Sequence, residues 1–431
     1  MLSIVTGAQF GDEGKGKLVD RMTADADIVV RYQGGDNAGH TVVAGGTEIK
    51  LRLVPSGVLH GKRLLIGPGV VFNPSVWAEE MEMLADAGVA PGPDRLGIDA
   101  KTSVLMPYHR ELDRLQEEQR EDAISTTKRG IGFAYQDKVG RDEIRVEHLV
   151  DPDRFGRQLE RILPDRLDRV ERMGGDPDAV REEVEEYRDL AADLAPHVTD
   201  VSREVHEALD DDRHVLVEGA QGTFLDVLHG TQKYVTSSHT TVGGACAALG
   251  VGPRRVDNSI GVLKAYITRV GSGPLPTGLE GETGDRLREQ GDEFGTNTGR
   301  PRRCGWLDLP LARKAIRLNG YSALALTKLD ILSGFDTVKV CTGYRADGTE
   351  TAYPPETTRD LEQVEPVYEE LPGWSADITA ASSIDDLPDA ALQYVEHVES
   401  ELGVPVTAVS VGPDRDQTLF REQGLPGSDA P

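Results

Sequence analysis

Short runs of consecutive apolar residues recur along the chain, and each leads into glycine or polar positions. They fall at residues 4–6 before Gly7, 28–31 before Gly34-Gly35, 64–66 before Gly67, 215–217 before Glu218-Gly219, 260–263 towards Tyr266, and 324–326 before Thr327-Lys328. Apolar character on successive positions predicts strands covered on both faces, as in a parallel sheet. Elsewhere the period is helical: Trp77, Met81 and Leu84 follow Asn73-Pro74 at i, i+4 and i+7, which predicts a helix starting there. Strands alternating with helices predict an α/β fold with a mainly parallel central sheet.

Residues 151–213 are dense in Arg, Glu and Asp, with Leu159, Ile162, Leu167 and Val170 at helical spacing. They read as a helical insertion covering one side of the sheet, within a single α/β domain spanning residues 1–431. Between Tyr266 and Pro310 the chain is rich in Gly and Thr with little periodicity, so a long irregular, arginine-bearing functional segment is expected there. The polar tail after Phe420 is expected to fray.

Acidic residues outnumber basic ones by 74 to 47, for a net charge of −27. That balance argues against gripping a nucleic-acid backbone or an anionic membrane, both of which need a positive field. Only 12 of the 47 basic residues are Lys. An acidic, lysine-poor surface suits a protein held in concentrated salt, which screens self-repulsion, and equally an ordinary acidic cytosolic protein. Cys246, Cys304 and Cys341 lack metal-ligand spacing and fit a reducing compartment. The N-terminus has neither a basic leader nor a long apolar stretch, so the expected location is the cytoplasm.

The strongest chemical signal is Gly11-Asp12-Glu13-Gly14-Lys15-Gly16-Lys17, directly after the first predicted strand. Glycines let backbone N–H groups approach phosphate oxygens, and a following helix adds its positive end. Lys15 or Lys17 can supply a point charge. The next residue is Leu18, where a P-loop carries Ser or Thr for magnesium. Asp12 is then the candidate holder of the metal, since Mg²⁺ favours one or two carboxylates plus phosphate oxygens.

After the second predicted strand, Gly34-Gly35-Asp36-Asn37-Ala38-Gly39-His40-Thr41 should open on the same sheet edge. His40 is either a structural histidine or an acid–base group there. Leu326-Thr327-Lys328-Leu329-Asp330 resembles the [NT]-K-x-D element of guanine-specific proteins. An aspartate can accept from guanine N1–H and its 2-amino group, and the lysine stem can lie over the base. Glu218-Gly219-Ala220-Gln221-Gly222-Thr223 offers a glutamine amide, and Thr236-Ser237-Ser238 adds hydroxyls. Thr296-Asn297-Thr298-Gly299-Arg300-Pro301-Arg302-Arg303 gathers arginines suited to anions.

These motifs, in this order from the first strand to Gly412-Pro413-Asp414-Arg415, resemble the adenylosuccinate synthetase family over almost the whole chain. The resemblance implies a P-loop-like enzyme, with IMP, GTP and L-aspartate giving adenylosuccinate, GDP and phosphate. Asp12 would take the N1 proton of IMP and ligate one Mg²⁺ per subunit, with Gly39 offering a carbonyl to the metal. The 6-oxyanion would attack the γ-phosphate, forming a 6-phosphoryl intermediate; His40 would act as general acid, Gln221 would hold the 6-oxygen and Lys15 would neutralise charge.

GTP contacts are implied for Gly11, Asp12, Glu13, Gly14, Lys15, Gly16, Lys17, Gly39, His40, Thr41, Arg302, Lys328, Leu329, Asp330, Ser410, Val411 and Gly412. IMP contacts are implied for Asp12, Glu13, Gly14, Lys15, Asn37, Ala38, Gly39, His40, Thr127, Gln221, Thr236 and Arg300. Arg141 would reach IMP across a homodimer interface. Aspartate would meet Thr296, Asn297, Thr298, Gly299, Arg300, Pro301 and Arg302. Three positions depart from the family's habit: Phe10 replaces a common Trp, Pro301 interrupts an arginine run, and Val411 stands where Thr is frequent. A non-catalytic guanine switch would need the missing Ser or Thr after the loop lysine. A nucleotide kinase would need no aspartate.

Overall fold

The six apolar runs become six neighbouring strands at the centre of one sheet. The computed structural model describes residues 1–44, 47–121, 124–295 and 299–421. Among these, an eleven-stranded sheet runs in the spatial order Thr418–Phe420, Val406–Ser410, Ala323–Thr327, Asn258–Lys264, Leu2–Gly7, Val215–Glu218, Ile28–Gly34, Arg63–Phe72, Leu96–Asp99 and Val198–Thr199. Ser103–Val104 lies beside the end of Arg63–Phe72. Pairing is parallel except at the Thr418–Phe420 edge.

Alternation sorts the side chains onto two cores. Leu2, Ile4, Ile28, Val30, Val215 and Val217 face one. Val5, Val29, Leu64, Ile66, Leu216 and Ile260 face the other. With both faces apolar, the runs lack the polar alternation of a one-sided sheet. Register also fixes where the site can form. Val5 pairs with both Glu218 and Ile260, and Lys264 pairs with Thr327. The loops after these strands therefore open together on the sheet's carboxyl edge, where α/β proteins collect ligands.

The helix predicted after Asn73 spans Pro74–Asp86. The Asn73 side-chain oxygen accepts from the backbone N–H of Ser75 and Val76, while its amide donates to Asp36 at 2.8 Å. One residue thus caps a helix and anchors the loop containing His40. Residues 151–213 form the helices Pro152–Arg172, Pro177–Leu194 and Val201–Asp210. Leu159, Ile162, Leu167 and Val170 enter one core, and Val201 and Val205 enter the opposite one.

The expectation of an irregular stretch between Tyr266 and Pro310 is corrected. It contains the strands Tyr266–Arg269 and Arg303–Asp308, paired antiparallel, and the helix Glu282–Gln290. The strands are short and find each other over more than thirty residues of chain. The helix buries only Gly284 and Leu287, so it leaves no apolar stripe to read. The expectation for the tail falls on residues 422–431, outside the described residues. No helix among the described residues is long and apolar enough to cross a membrane.

Candidate active site

The phosphate loop is organised around a buried carboxylate. Glu13 is fully buried. One of its oxygens accepts from Gln9 N–H at 3.1 Å and Gly11 N–H at 2.8 Å, and the other receives Lys15 Nζ at 2.5 Å. Burying that charge without partners would cost several kcal/mol, so the loop wraps it and Lys15 is pinned beside it. Gly14, at φ 88°, ends the loop as the helix Lys15–Thr23 begins. Across from the loop, a Cβ on Gly222 would come within 2.5 Å of Gln9 O, Gly11 N and Glu13 Oε1, so only glycine fits that contact. Asp12 differs from Glu13: its side chain keeps 35% of its exposure.

The two loop lysines separate. Lys17 turns away from Lys15 and donates to Ser410 Oγ at 2.8 Å, Gly412 O at 2.6 Å and Gln417 O at 2.9 Å. Burial lowers its pKa to about 8, against the pull of Asp330. It therefore joins the loop to residues 410–412. Ser410 and Gly412 offer polar atoms here, whereas Val411 has a fully buried apolar side chain.

His40 is almost buried and its Nδ1 meets Glu218 Oε1. Ser56 Oγ donates to the same oxygen at 2.6 Å and Ser56 N–H to the other at 2.9 Å. Burial alone would raise the Glu218 pKa, but His40, then Arg31 and Ser56, hold it down, to about 2. Burial lowers the His40 pKa, with Glu218 opposing. An ionised Glu218 accepts a hydrogen bond from His40 Nδ1–H and so fixes the ring's tautomer and orientation, the arrangement that positions an acid–base histidine.

A chain of amides lies on the IMP side predicted from sequence. Gln33 donates to Gln221 Oε1 at 2.9 Å, to Ala220 O and to Ser238 Oγ. Gln221 in turn donates to Asn37 Oδ1 at 3.1 Å. The Gln221 amide is thus oriented from both ends. Thr236 is held by its N–H on Leu225 O, and Thr127 stands exposed on a loop fastened through Thr126 and Gly130 to Asp113. Arg141 is exposed at the end of the helix Ile131–Gly140, with φ 68°.

In the element predicted from sequence to read guanine, Thr327 Oγ1 donates to Glu13 O at 2.6 Å, stitching it to the phosphate loop. Asp330 Oδ1 is buried with no hydrogen-bond partner, and burial raises that carboxyl's pKa. An orphaned acceptor is costly and fits a ligand donor. Lys328 donates to Gly291 O and to Glu293.

The described residues on either side of the arginine segment's tip pair antiparallel, and this pair is the arginine hairpin. Gly295 N–H donates to Arg300 O, Arg302 N–H to Glu293 O, and Phe294 bridges to exposed Pro301. Arg300 reaches Ser125 O at 3.4 Å, joining the hairpin to the loop that carries Thr127. Arg302 is 5% exposed and its Nε stands 3.0 Å from Asp12 Oδ2. Thr296, Asn297 and Thr298 lie outside the described residues. Phe10 packs on Phe224 with ring centroids 5.4 Å apart, beneath the Arg269 guanidinium at 4.4 Å.

Among the described residues no cluster of three or more His, Cys, Asp or Glu could hold a metal by itself. One accessible carboxylate beside a phosphate loop instead suits Mg²⁺, which takes its remaining ligands from phosphate and water. Sequence reading missed the roles of Gln33, Glu218, Lys264 and Glu293. Glu218 lay inside a quoted motif, yet its pairing with His40 spans 178 residues of chain and leaves no local mark.

Comparison with known proteins agrees with this geometry. The family model described as adenylosuccinate synthetase matches residues 4–419. The adenylosuccinate synthetase of Methanosarcina barkeri is 56% identical over 98% of this chain and 100% of its own. That of Methanothrix thermoacetophila is likewise 56% identical over 98% and 100%. A solved structure of fully ligated adenylosuccinate synthetase from Plasmodium falciparum superposes with a TM-score of 0.92 at 35% identity, covering 97% of this chain and 99% of that one.

Because Glu218 titrates in the fold below its ordinary 4.5, its charge stabilises the protein above that pH and the contribution is lost as pH falls towards 2. Between those limits the wild type should lose roughly 1–3 kcal/mol that Glu218→Gln does not. Denaturant midpoints against pH measure it, and parallel curves for the two proteins would contradict it.

Proposed function

The chain belongs to the adenylosuccinate synthetase family, and from that premise we propose how its residues divide the work. It is a GTP-dependent ligase of purine nucleotide synthesis that joins L-aspartate to IMP, giving adenylosuccinate, GDP and phosphate. The 6-oxygen of IMP is a poor leaving group and must be activated before an amine can displace it. In our reading Asp12 removes the N1 proton, and the resulting 6-oxyanion attacks the γ-phosphorus of GTP while GDP departs. The aspartate amine then attacks C6 and expels phosphate.

The observation that carries this assignment is the contrast between the two loop carboxylates. Glu13 is fully enclosed by its partners, whereas Asp12, with one oxygen 3.0 Å from Arg302, keeps 35% of its side-chain exposure at the loop's surface. We assign Lys15, fixed by Glu13, to charge on the transferring group, where electrostatics and positioning supply most of the catalysis. His40 presents Nε2 to that group as general acid, and the phosphate oxygens it faces favour its protonated ring. The doubly anchored Gln221 amide holds the 6-oxygen. Asp330 accepts from the guanine edge, Lys328 flanks the base, and residues 410–412 border it. Arg300 and Arg302 receive the carboxylates of aspartate. Asp12 and the Gly39 carbonyl would hold Mg²⁺, which supplies Lewis-acid neutralisation of phosphate charge.

We further propose that the chain is one α/β unit with its helical insertion at about 151–213, that it works in the cytoplasm, and that it acts as a homodimer. In that dimer the exposed Arg141 of each subunit would complete the IMP site of the other.

Asp12→Asn should keep the wild-type thermal midpoint and lose at least ~100-fold in turnover, the scale of an acid–base group, assayed with GTP, IMP, Mg²⁺ and aspartate. Near-normal turnover would sink the assignment. Mixing Asp12→Asn with Arg141→Leu should recover up to about a quarter of wild-type activity, because random exchange makes half the dimers hybrids with one intact site. No recovery in hybrids shown to form would contradict shared sites.

A further inference from the structure

Glu293, which none of the motifs includes, is fully buried at the base of the arginine hairpin. Its Oε1 receives Lys328 Nζ at 2.8 Å, Lys264 Nζ at 3.1 Å and the Tyr266 hydroxyl. Its Oε2 receives Arg302 Nη1 at 2.6 Å. Arg302 in turn has Nε 3.0 Å from Asp12. Lys264 is itself fully buried, donates also to Thr268, and belongs to a residue whose backbone N–H and C=O both bind the Gln9 amide beneath the phosphate loop. One carboxylate therefore holds the lysine of the Thr327–Asp330 element, an arginine of the hairpin and a third cation beneath the phosphate loop.

We propose that Glu293 is a positioning residue that couples the GTP and aspartate ends of the site by holding Lys328 and Arg302 on one carboxyl group. This rests on the roles assigned above to those two residues. Glu293 and Asp12 offset two of the three cations, so the cluster keeps one excess positive charge for incoming anions. A group serving only the fold would be replaceable by apolar packing with little or no loss of stability. A group that must present two cations to two different ligands is not. When either ligand draws its cation into place, the shared carboxylate fixes the other arm, and the second ligand meets a site already ordered. Linkage makes this reciprocal.

The test is GDP binding by the intact enzyme in the presence of IMP and Mg²⁺, a mixture that cannot react, titrated with and without L-aspartate. For the wild type, aspartate should tighten GDP binding by ~5-fold or more. In Glu293→Gln the factor should fall to about one, with KM rising for both GTP and aspartate by roughly tenfold and KM for IMP unchanged within about twofold. Where Glu293→Gln does not fold, Glu293→Asp serves, since its shorter arm reaches Lys328 or Arg302 but not both. A coupling factor that survives substitution overturns the proposal, as does a rise in KM for IMP equal to the other two. A wild type that makes adenylosuccinate without coupling overturns the proposal alone. A wild type that makes none overturns the functional reading beneath it.

Discussion

A carboxylate can be buried only beside groups that neutralise it, and three such carboxylates lie under this site. Glu13, Glu218 and Glu293 are all fully buried. Removing an ion from water costs several kcal/mol unless partners repay it, so each dictates where its partners stand. Glu13 sets Lys15 and the turn of the phosphate loop. Glu218 sets the tautomer and direction of His40. Glu293 sets Lys328 and Arg302. Two carboxylates stand apart from these three: Asp12, which keeps 35% of its side-chain exposure although one oxygen stands 3.0 Å from Arg302, and Asp330, whose buried Oδ1 has no hydrogen-bond partner. The division of labour between buried and available carboxylates is thus an electrostatic consequence of the fold.

The backbone carries a second sign of the same organisation. Asp12, Gln221, Lys328 and Arg141 all have φ between 58° and 68°, a region sparsely populated by side-chain-bearing residues and costing on the order of 1 kcal/mol each. These four are candidate site residues: in the phosphate loop, at the amide assigned to IMP, in the element assigned to guanine and at the proposed subunit contact. Local strain persists where surrounding contacts over-determine it, and here the anchors are visible. Lys328 is tied to Gly291 and Glu293, and Gln221 to Gln33 and Asn37. The family departures sit more quietly. Phe10 is packed against Phe224, Val411 is enclosed, and Pro301 lies exposed on the hairpin.

Much of the fold was legible because a doubly covered parallel sheet writes itself as apolar runs. All six runs found in the sequence are strands, and they are contiguous in the sheet. The strands at the sheet's edges and in the second sheet were not legible. Leu96–Asp99 and Val198–Thr199 are too short to show a period, and Tyr266–Arg269 is strand only because Arg303–Asp308 pairs with it. The candidate ligand-binding residues fell in glycine-rich motifs whose spacing reflects local geometry. Their supports did not, since Glu218 reaches His40 across 178 residues and Lys328 reaches Glu293 across 35. For Lys17 the sequence left its phosphate role open beside Lys15. Its partners are 393 or more residues away, so adjacency to Lys15 in the motif could not tell the two apart.

The central claim is that this edge of the sheet first transfers a phosphoryl group to the 6-oxygen of IMP and only then admits the amine. Positional isotope exchange tests it most directly, using GTP labelled with ¹⁸O in the β–γ bridge together with IMP and Mg²⁺ but no aspartate. Reversible transfer frees the β-phosphate of GDP to rotate, so label should scramble from the bridge into the non-bridging β positions. Scrambling should require IMP. Turnover with aspartate present, alongside no scrambling in its absence under conditions where GDP stays bound, would contradict an intermediate formed before the amine arrives.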